Sequence, residues 1–174
     1  MGETIFVLGG CRSGKSRHAL ALAEDRRGSA NYFLATCVAY DEEMKERIRR
    51  HQEERGAKWQ SVEAPLDLPE AIDRQSDAAD VIVVDCLTLW MNNLIMEGQT
   101  DKEVYARAEK LKASLERAGC PVFIVSNEVG AGIVPENQLA RRFRDLAGFT
   151  NQRMAGCADR VIWMVAGIPV IIKG

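Results

Sequence analysis

The segment Gly9-Gly10-Cys11-Arg12-Ser13-Gly14-Lys15-Ser16 constrains the fold of this chain more than any other. It satisfies the pattern G-x-x-x-x-G-K-[ST] in full. A short apolar run with β-branched residues precedes it at 4–9, and an Ala- and Leu-rich stretch follows at 17–26. The pattern carries weight only in that setting, where a strand delivers the glycines and a helix follows them. The glycines let the backbone curl so that successive N–H groups point inward at phosphate oxygens. The helix behind the loop turns its positive end to the same anion. Lys15 is placed to reach the β- and γ-phosphates, and Ser16 to hold Mg²⁺ through its hydroxyl.

The remaining sequence alternates in the way such a loop requires. Strands are expected over 4–9, 31–36, 81–85, 121–126 and 161–165. Helices are expected over 17–26, 41–55 (Asp41 as N-cap), 67–76, 87–96, 102–117 and 136–157, the last with a break at Gly148. Residues 166–169 read as a turn that brings 170–172 back as a closing hairpin. Continuous apolar strands separated by helices imply a parallel sheet covered on both faces. The expected fold is therefore α/β: a mostly parallel central sheet with helices on both faces and a C-terminal antiparallel edge strand. At 174 residues, with no linker and no repeat, the whole of 1–174 reads as one domain.

Composition removes several classes. Lys+Arg 23 against Asp+Glu 25 leaves a net charge of -2, which argues against nucleic acid as a bulk-charge partner. The longest uncharged stretches, 28–40 and 161–172, fall short of the ~18 residues a membrane span needs. The N-terminus has no basic region of the secretory kind, so a cytoplasmic protein with reduced thiols is expected. The five cysteines form no CxxC pair, and there are only two histidines, which limits metal-site chemistry.

Further candidates stand outside the loop. Asp85 ends the apolar run Val81-Ile82-Val83-Val84, and a carboxylate at a strand tip beside the phosphate loop can orient Mg²⁺. His18 falls inside the helix behind the loop and reads as a packing or surface residue. His51 lies late in the charged stretch, where helical spacing puts it on one face with Arg47 and Arg55. Flanking positive charge favours a neutral imidazole, which is a nucleophile. Spacing alone reads equally as a solvated face with paired charges. The segment Ser126-Asn127-Glu128-Val129-Gly130-Ala131-Gly132-Ile133-Val134-Pro135 follows a predicted strand, at the end where open α/β folds bind ligands. Arg141, Arg142 and Arg144 on the helix beyond are placed to meet an anionic substrate or simply solvent.

Together these motifs resemble the bifunctional adenosylcobinamide kinase / adenosylcobinamide-phosphate guanylyltransferase family of cobalamin biosynthesis. The resemblance runs over nearly the whole length. It is carried by residues 9–18, by Asp41-Glu42-Glu43-Met44, Arg47-Ile48 and His51, and by residues 126–137. Phe143-Arg144-Asp145-Leu146-Ala147-Gly148 and Asn151-Gln152-Arg153 continue it. The resemblance implies a RecA-type P-loop fold and a homotrimer. It implies phosphorylation of the aminopropanol hydroxyl of adenosylcobinamide, a corrinoid, by ATP or GTP. GMP transfer from GTP to that phosphate then passes through a guanylyl-histidine, giving adenosylcobinamide-GDP and pyrophosphate. The family's histidine matches His51. Its nucleotide contacts fall on Gly9, Gly10, Cys11, Arg12, Ser13, Gly14, Lys15 and Ser16, on Thr36, Cys37 and Val38, on Gln52, Glu53, Glu54 and Arg55, and on Glu63 and Asp85. Ser16 and Asp85 are the implied metal ligands. Asp85 and Glu128 are candidates for accepting the hydroxyl proton in the kinase step. Without a nucleophilic histidine, the same loop and Asp85 describe a monofunctional small-molecule kinase.

Overall fold

The computed structural model describes residues 2–38, 42, 46, 49 and 58–174. In chain order the elements are β1 (Thr4–Gly9), α1 (Lys15–Glu24), β2 (Asn31–Ala35), β3 (Gln60–Glu63), α2 (Leu68–Gln75), β4 (Val81–Asp85) and α3 (Leu87–Met96). These are followed by α4 (Asp101–Arg117), β5 (Val122–Asn127), α5 (Gln138–Cys157), β6 (Arg160–Val165) and β7 (Ile168–Lys173). The strands form one seven-stranded sheet in the order β3-β2-β4-β5-β1-β6-β7. Every neighbouring pair is parallel except β6 with β7.

Successive side chains on a strand point to opposite faces, and both faces here are apolar. Ile5, Val7, Phe33, Val81, Val83 and Phe123 pack against Ala19 and Ala23 of α1. Phe6, Leu34, Ile82, Val84 and Ile124 point the other way, onto Leu68, Trp90, Leu111 and Leu146 of the remaining helices. Each large side chain fully buried this way contributes about 1.5–3 kcal/mol. The two-face burial explains why the parallel strands read as unbroken apolar runs. The expected α/β architecture and the closing hairpin are both present. Ala166 (φ 51) and Gly167 (φ 85) make the two-residue turn between β6 and β7, the backbone geometry that suits a right-twisted hairpin.

Several boundaries differ from expectation. Helix α1 starts at Lys15, not at 17, because Gly14 at φ 89 caps it directly. Strand β3 was not anticipated. Its sequence Gln-Ser-Val-Glu is polar and mostly exposed, so it has no apolar period to detect. Helix α5 runs unbroken through Gly148. A glycine inside a helix costs about 1 kcal/mol against alanine, and burial of Leu146, Ala147, Thr150 and Asn151 on either side holds the turn. Of the charged stretch, Glu42, Glu46 and Arg49 are helical and exposed, with Arg49 paired to Glu46 at 2.6 Å. The rest of the helix expected over 41–55, His51 included, lies outside the described residues.

No helix among the described residues is long and apolar enough to cross a membrane. No disulfide joins the cysteines. Burial pushes the Cys120 thiol up to about 11, and raises Cys157 as well.

Candidate active site

All six parallel strands point their carboxyl ends the same way, and the predicted site residues among those described gather at that edge. The loop after β1 folds on itself. Ser13 N–H donates to Gly10 O at 3.3 Å, and Lys15 Nζ donates to the same carbonyl at 2.9 Å. The ammonium is thus held across the loop by a partner the sequence did not suggest. That bond takes one of its three protons. Lys15 itself is only 8% exposed, so its charge acts in a partly desolvated setting where it is worth more. The turn of the β6–β7 hairpin braces the loop from outside, through Gly167 N–H on Ser13 O at 3.1 Å.

Two glycines are required here by geometry. Gly14 has φ +89, a region most side chains avoid. A Cβ on Gly9 would stand 2.5 Å from Ser13 Oγ and 2.8 Å from Met164 O. Ser13 Oγ is buried and has no hydrogen-bond partner among the described residues. A buried hydroxyl left in this state costs about 1–3 kcal/mol, so its place inside a phosphate-binding loop suits a ligand that supplies the missing partner. Cys11 and Arg12 are exposed, with Arg12 at φ 55 where the loop bends.

Asp85 ends β4, and one strand separates it from the phosphate-loop strand. Strand β5 pairs with β1 on one side and β4 on the other. Asp85 was expected beside the loop; the inserted strand moves it one position along the sheet. Its parity places it on the α1 face with Val81 and Val83, the face from which Lys15 begins its helix. The charges of Lys15 and Asp85 both act on the Cys86 thiol. Burial raises the Cys86 thiol, the Asp85 charge adds to that, and the Thr88 hydroxyl and Lys15 work the other way. Glu63 lies in the same row, because Ala35 of β2 pairs with both Glu63 and Asp85. Two strand spacings put those backbone positions roughly 10 Å apart.

A polar chain that sequence reading missed stitches this edge together. Thr36, fully buried, accepts from Cys86 N at 2.8 Å and donates to Cys86 O at 2.7 Å. Its hydroxyl is therefore committed inside the protein, while Cys37 and Val38 beyond it are half-buried. Asn93 Nδ2 donates to Thr36 O at 2.8 Å. Asn127 Nδ2 donates to Thr88 Oγ1 at 3.1 Å, and Ser126 Oγ donates to Asn151 Oδ1 at 2.7 Å. These bonds tie the tips of β2, β4 and β5 to α3 and α5. The signal was faint but present in α3, where Thr88 and Asn93 interrupt an otherwise apolar buried face. His18 is half-buried within α1, and burial first, then the charge of Arg160, lowers its pKa. His51, Gln52, Glu53, Glu54 and Arg55 lie outside the described residues.

Among the described residues no three His, Cys, Asp or Glu side chains converge on a metal position. Ser16 and Asp85 instead offer one hydroxyl and one carboxylate. Those hard oxygen donors fit a Mg²⁺ that takes most of its ligands from phosphates and water.

The loop and the strand order define a P-loop nucleotide-binding protein. A solved ATPase domain shares the fold, with TM-score 0.52 over 92% of this chain and 68% of that one at 9% identity. Residues 5–172 match the family described as cobinamide kinase / cobinamide phosphate guanyltransferase, and the chain belongs to that family. It is 42% identical over 181 residues to the bifunctional adenosylcobalamin biosynthesis protein CobU of Salmonella typhimurium, covering 97% of this chain and 99% of that protein. It is 40% identical over 169 residues to the bifunctional adenosylcobalamin biosynthesis protein CobP of Pseudomonas aeruginosa, covering 97% and 96% respectively.

Proposed function

We propose that this chain, a cobinamide kinase and guanylyltransferase by family, carries out both reactions at the carboxyl edge of its sheet, with His51 as the covalent nucleophile. In the kinase step, the aminopropanol hydroxyl of adenosylcobinamide attacks the γ-phosphorus of ATP or GTP. The bond to the β–γ bridging oxygen breaks, and the hydroxyl proton passes to Asp85 or Glu128. Lys15 and the loop amides neutralise the charge carried by the phosphates. Ser16 and Asp85 would hold Mg²⁺, which when bound supplies further neutralisation of that charge. In the transferase step, a neutral nitrogen of His51 attacks the α-phosphorus of GTP and pyrophosphate leaves. A phosphate oxygen of adenosylcobinamide phosphate then attacks the same phosphorus. The P–N bond breaks, the imidazole is restored, and adenosylcobinamide-GDP forms.

The observation that carries this reading is the Lys15 ammonium fixed on Gly10 O at 2.9 Å within a complete phosphate-binding loop. Nucleotide contacts are assigned to residues 9–16, 36–38 and 52–55 and to Glu63 and Asp85. The working assembly is a homotrimer in the cytoplasm, a reading supported by the family resemblance and testable by light scattering at micromolar concentration.

The decisive experiment uses labelled GTP. With α-labelled GTP the protein gains an acid-labile, base-stable adduct that maps to His51; with γ-labelled GTP it does not. His51→Asn abolishes the adduct and GMP transfer while retaining most kinase activity. An adduct on another residue, or full transferase activity in the variant, overturns the mechanism.

A further inference from the structure

The loop leaving β5 holds large apolar side chains in the open. Val129 is 36% exposed, Val134 61%, Ile133 97%, and Leu139 in the first turn of α5 50%. Burying an isoleucine is worth about 1.5–3 kcal/mol, so folding gains nothing from Ile133 where it stands. The loop is nevertheless pinned at both ends. Glu128 N–H donates to Gly9 O at 3.0 Å, and Gly130 N–H donates to Glu128 Oε1 at 2.6 Å. At its far end, Arg141 donates to Pro135 O at 3.0 Å, and Asn137 caps α5 by accepting from Ala140 N–H at 3.0 Å.

Its position is set by strand order. Strand β5 lies between the phosphate-loop strand and the strand ending in Asp85. Its loop therefore leaves the carboxyl edge between the phosphate loop and Asp85, where the proposed function puts the terminal phosphate. An acceptor hydroxyl has to approach at that point, and the body of a large acceptor must spread over whatever borders it. The apolar side chains of the β6–β7 hairpin lie on the other side of β1, away from Asp85. Helices α4 and α5 both end where a parallel strand begins, so their first turns also stand on the carboxyl side. Between those turns lies an open groove of about 670 Å³ whose lining includes Leu139, Tyr105, Gln138 and Arg142. Leu139 belongs to both surfaces and makes them continuous.

We propose that residues 129–139 form the platform for the corrin ring of the acceptor, an inference that rests on the function proposed above. A corrin is a broad plate with largely apolar faces and a fringe of amide side chains. One face of the plate lies on Ile133, Val134 and Leu139. The amide fringe reaches the polar wall of the groove, where Gln138 both donates and accepts. The phosphate loop handles the nucleotide, and this loop selects what receives its phosphate.

The test is the double variant Ile133→Ser, Val134→Ser, with Ile133→Leu as the conservative partner. Four quantities are measured: the KM for adenosylcobinamide, the KM for the phosphate donor, adduct formation from α-labelled GTP without acceptor, and molar mass by light scattering. The double variant raises the corrinoid KM about tenfold or more, the scale of losing apolar contacts in a binding pocket. The donor KM, the adduct and the mass stay unchanged, and Ile133→Leu stays close to the unaltered protein. An unchanged corrinoid KM overturns the proposal. A rise that comes only with a changed molar mass also overturns it, and gives the surface to a second copy of the chain. Failure of the unaltered protein to phosphorylate the corrinoid overturns the functional reading itself, and this proposal with it.

Discussion

Two loops leave adjacent strands of the same sheet and are built on opposite principles. The loop after β1 is closed in on itself, with Ser13 N–H and Lys15 Nζ on one carbonyl and the hairpin turn bonded to its outer side. Its chemistry is buried; Gly9 is there because nothing larger fits, and Gly14 because its φ is +89. The loop after β5 is pinned only at its ends, and its middle turns Ile133 and Val134 outward. Gly130 is close to Glu128 Oε1 at the pinned end, but Gly132 in the middle is loosely placed: a Cβ there would meet nothing within 4 Å, where one on Gly9 would collide with Ser13 Oγ and Met164 O. A phosphate is the same in every nucleotide, so its site can be rigid and generic. The acceptor is particular to the reaction, and its recognition falls to the neighbouring loop, where side chains can change without disturbing the phosphate site.

The largest effect expected of this contrast comes from Lys15→Ala. Both activities fall by about three orders of magnitude or more, since the loop lysine stabilises charge in each phosphoryl transfer. The variant stays folded, because the bond it loses is one contact on Gly10 O. Steady-state rates of both half-reactions, with a thermal melt alongside, check it. Near-normal turnover in either assay breaks the comparison at its strong end.

A smaller effect separates the glycines. Gly9→Ala forces Ser13 or Met164 to move, and overpacking of this kind costs about 1–3 kcal/mol. Stability and nucleotide affinity fall together, read by denaturant unfolding and by titration with GTP. Gly132→Ala leaves both within about 0.5 kcal/mol of the starting protein. Equal effects at the two positions remove the distinction between the loops.

The smallest effect lies away from both loops and calibrates them. Burial alone would raise the Glu70 carboxyl, but hydrogen bonds from Arg107 and Lys110 hold it down to about 2. The folded pKa is below the unfolded one, so the stabilisation is present at neutral pH and is lost as the pH falls from about 4.5 through about 2. Glu70→Gln therefore destabilises by about 1 kcal/mol at pH 7, the upper range for a solvent-screened cluster. The gap to the unaltered protein narrows in acid, and corrinoid and nucleotide KM values at pH 7 do not move. A gap that widens in acid contradicts the assignment.

Much of the site was legible because phosphate binding depends on local geometry. Gly14 needs a positive φ, Gly9 needs space, and Lys15 and Ser16 need to open a helix; all of these are neighbours in sequence. Asp85 was legible as the end of an apolar run. The polar chain through Thr36, Cys86, Thr88, Asn93 and Asn127 was not, because its members come from three separate segments. Strand β3 escaped because an exposed edge needs no apolar face. Gly148 was read as a break because propensity alone penalises it, whereas packing of the buried residues around it overrides the penalty.

Sequence alone determined the class of fold, the phosphate loop, the carboxylate of β4 and the closing hairpin. Each of these rests on short-range covalent geometry or on the apolar period of a single element. Tertiary structure decided the strand order, which set β5 between β1 and β4 and so brought its loop out between the phosphate loop and Asp85. It also decided that Lys15 finds a partner across its own loop and that Glu63 shares a row with Asp85. Parallel strands paired across long crossovers carry no local mark of their neighbours. Which strands lie side by side is settled only when both faces of the sheet find helices to cover them.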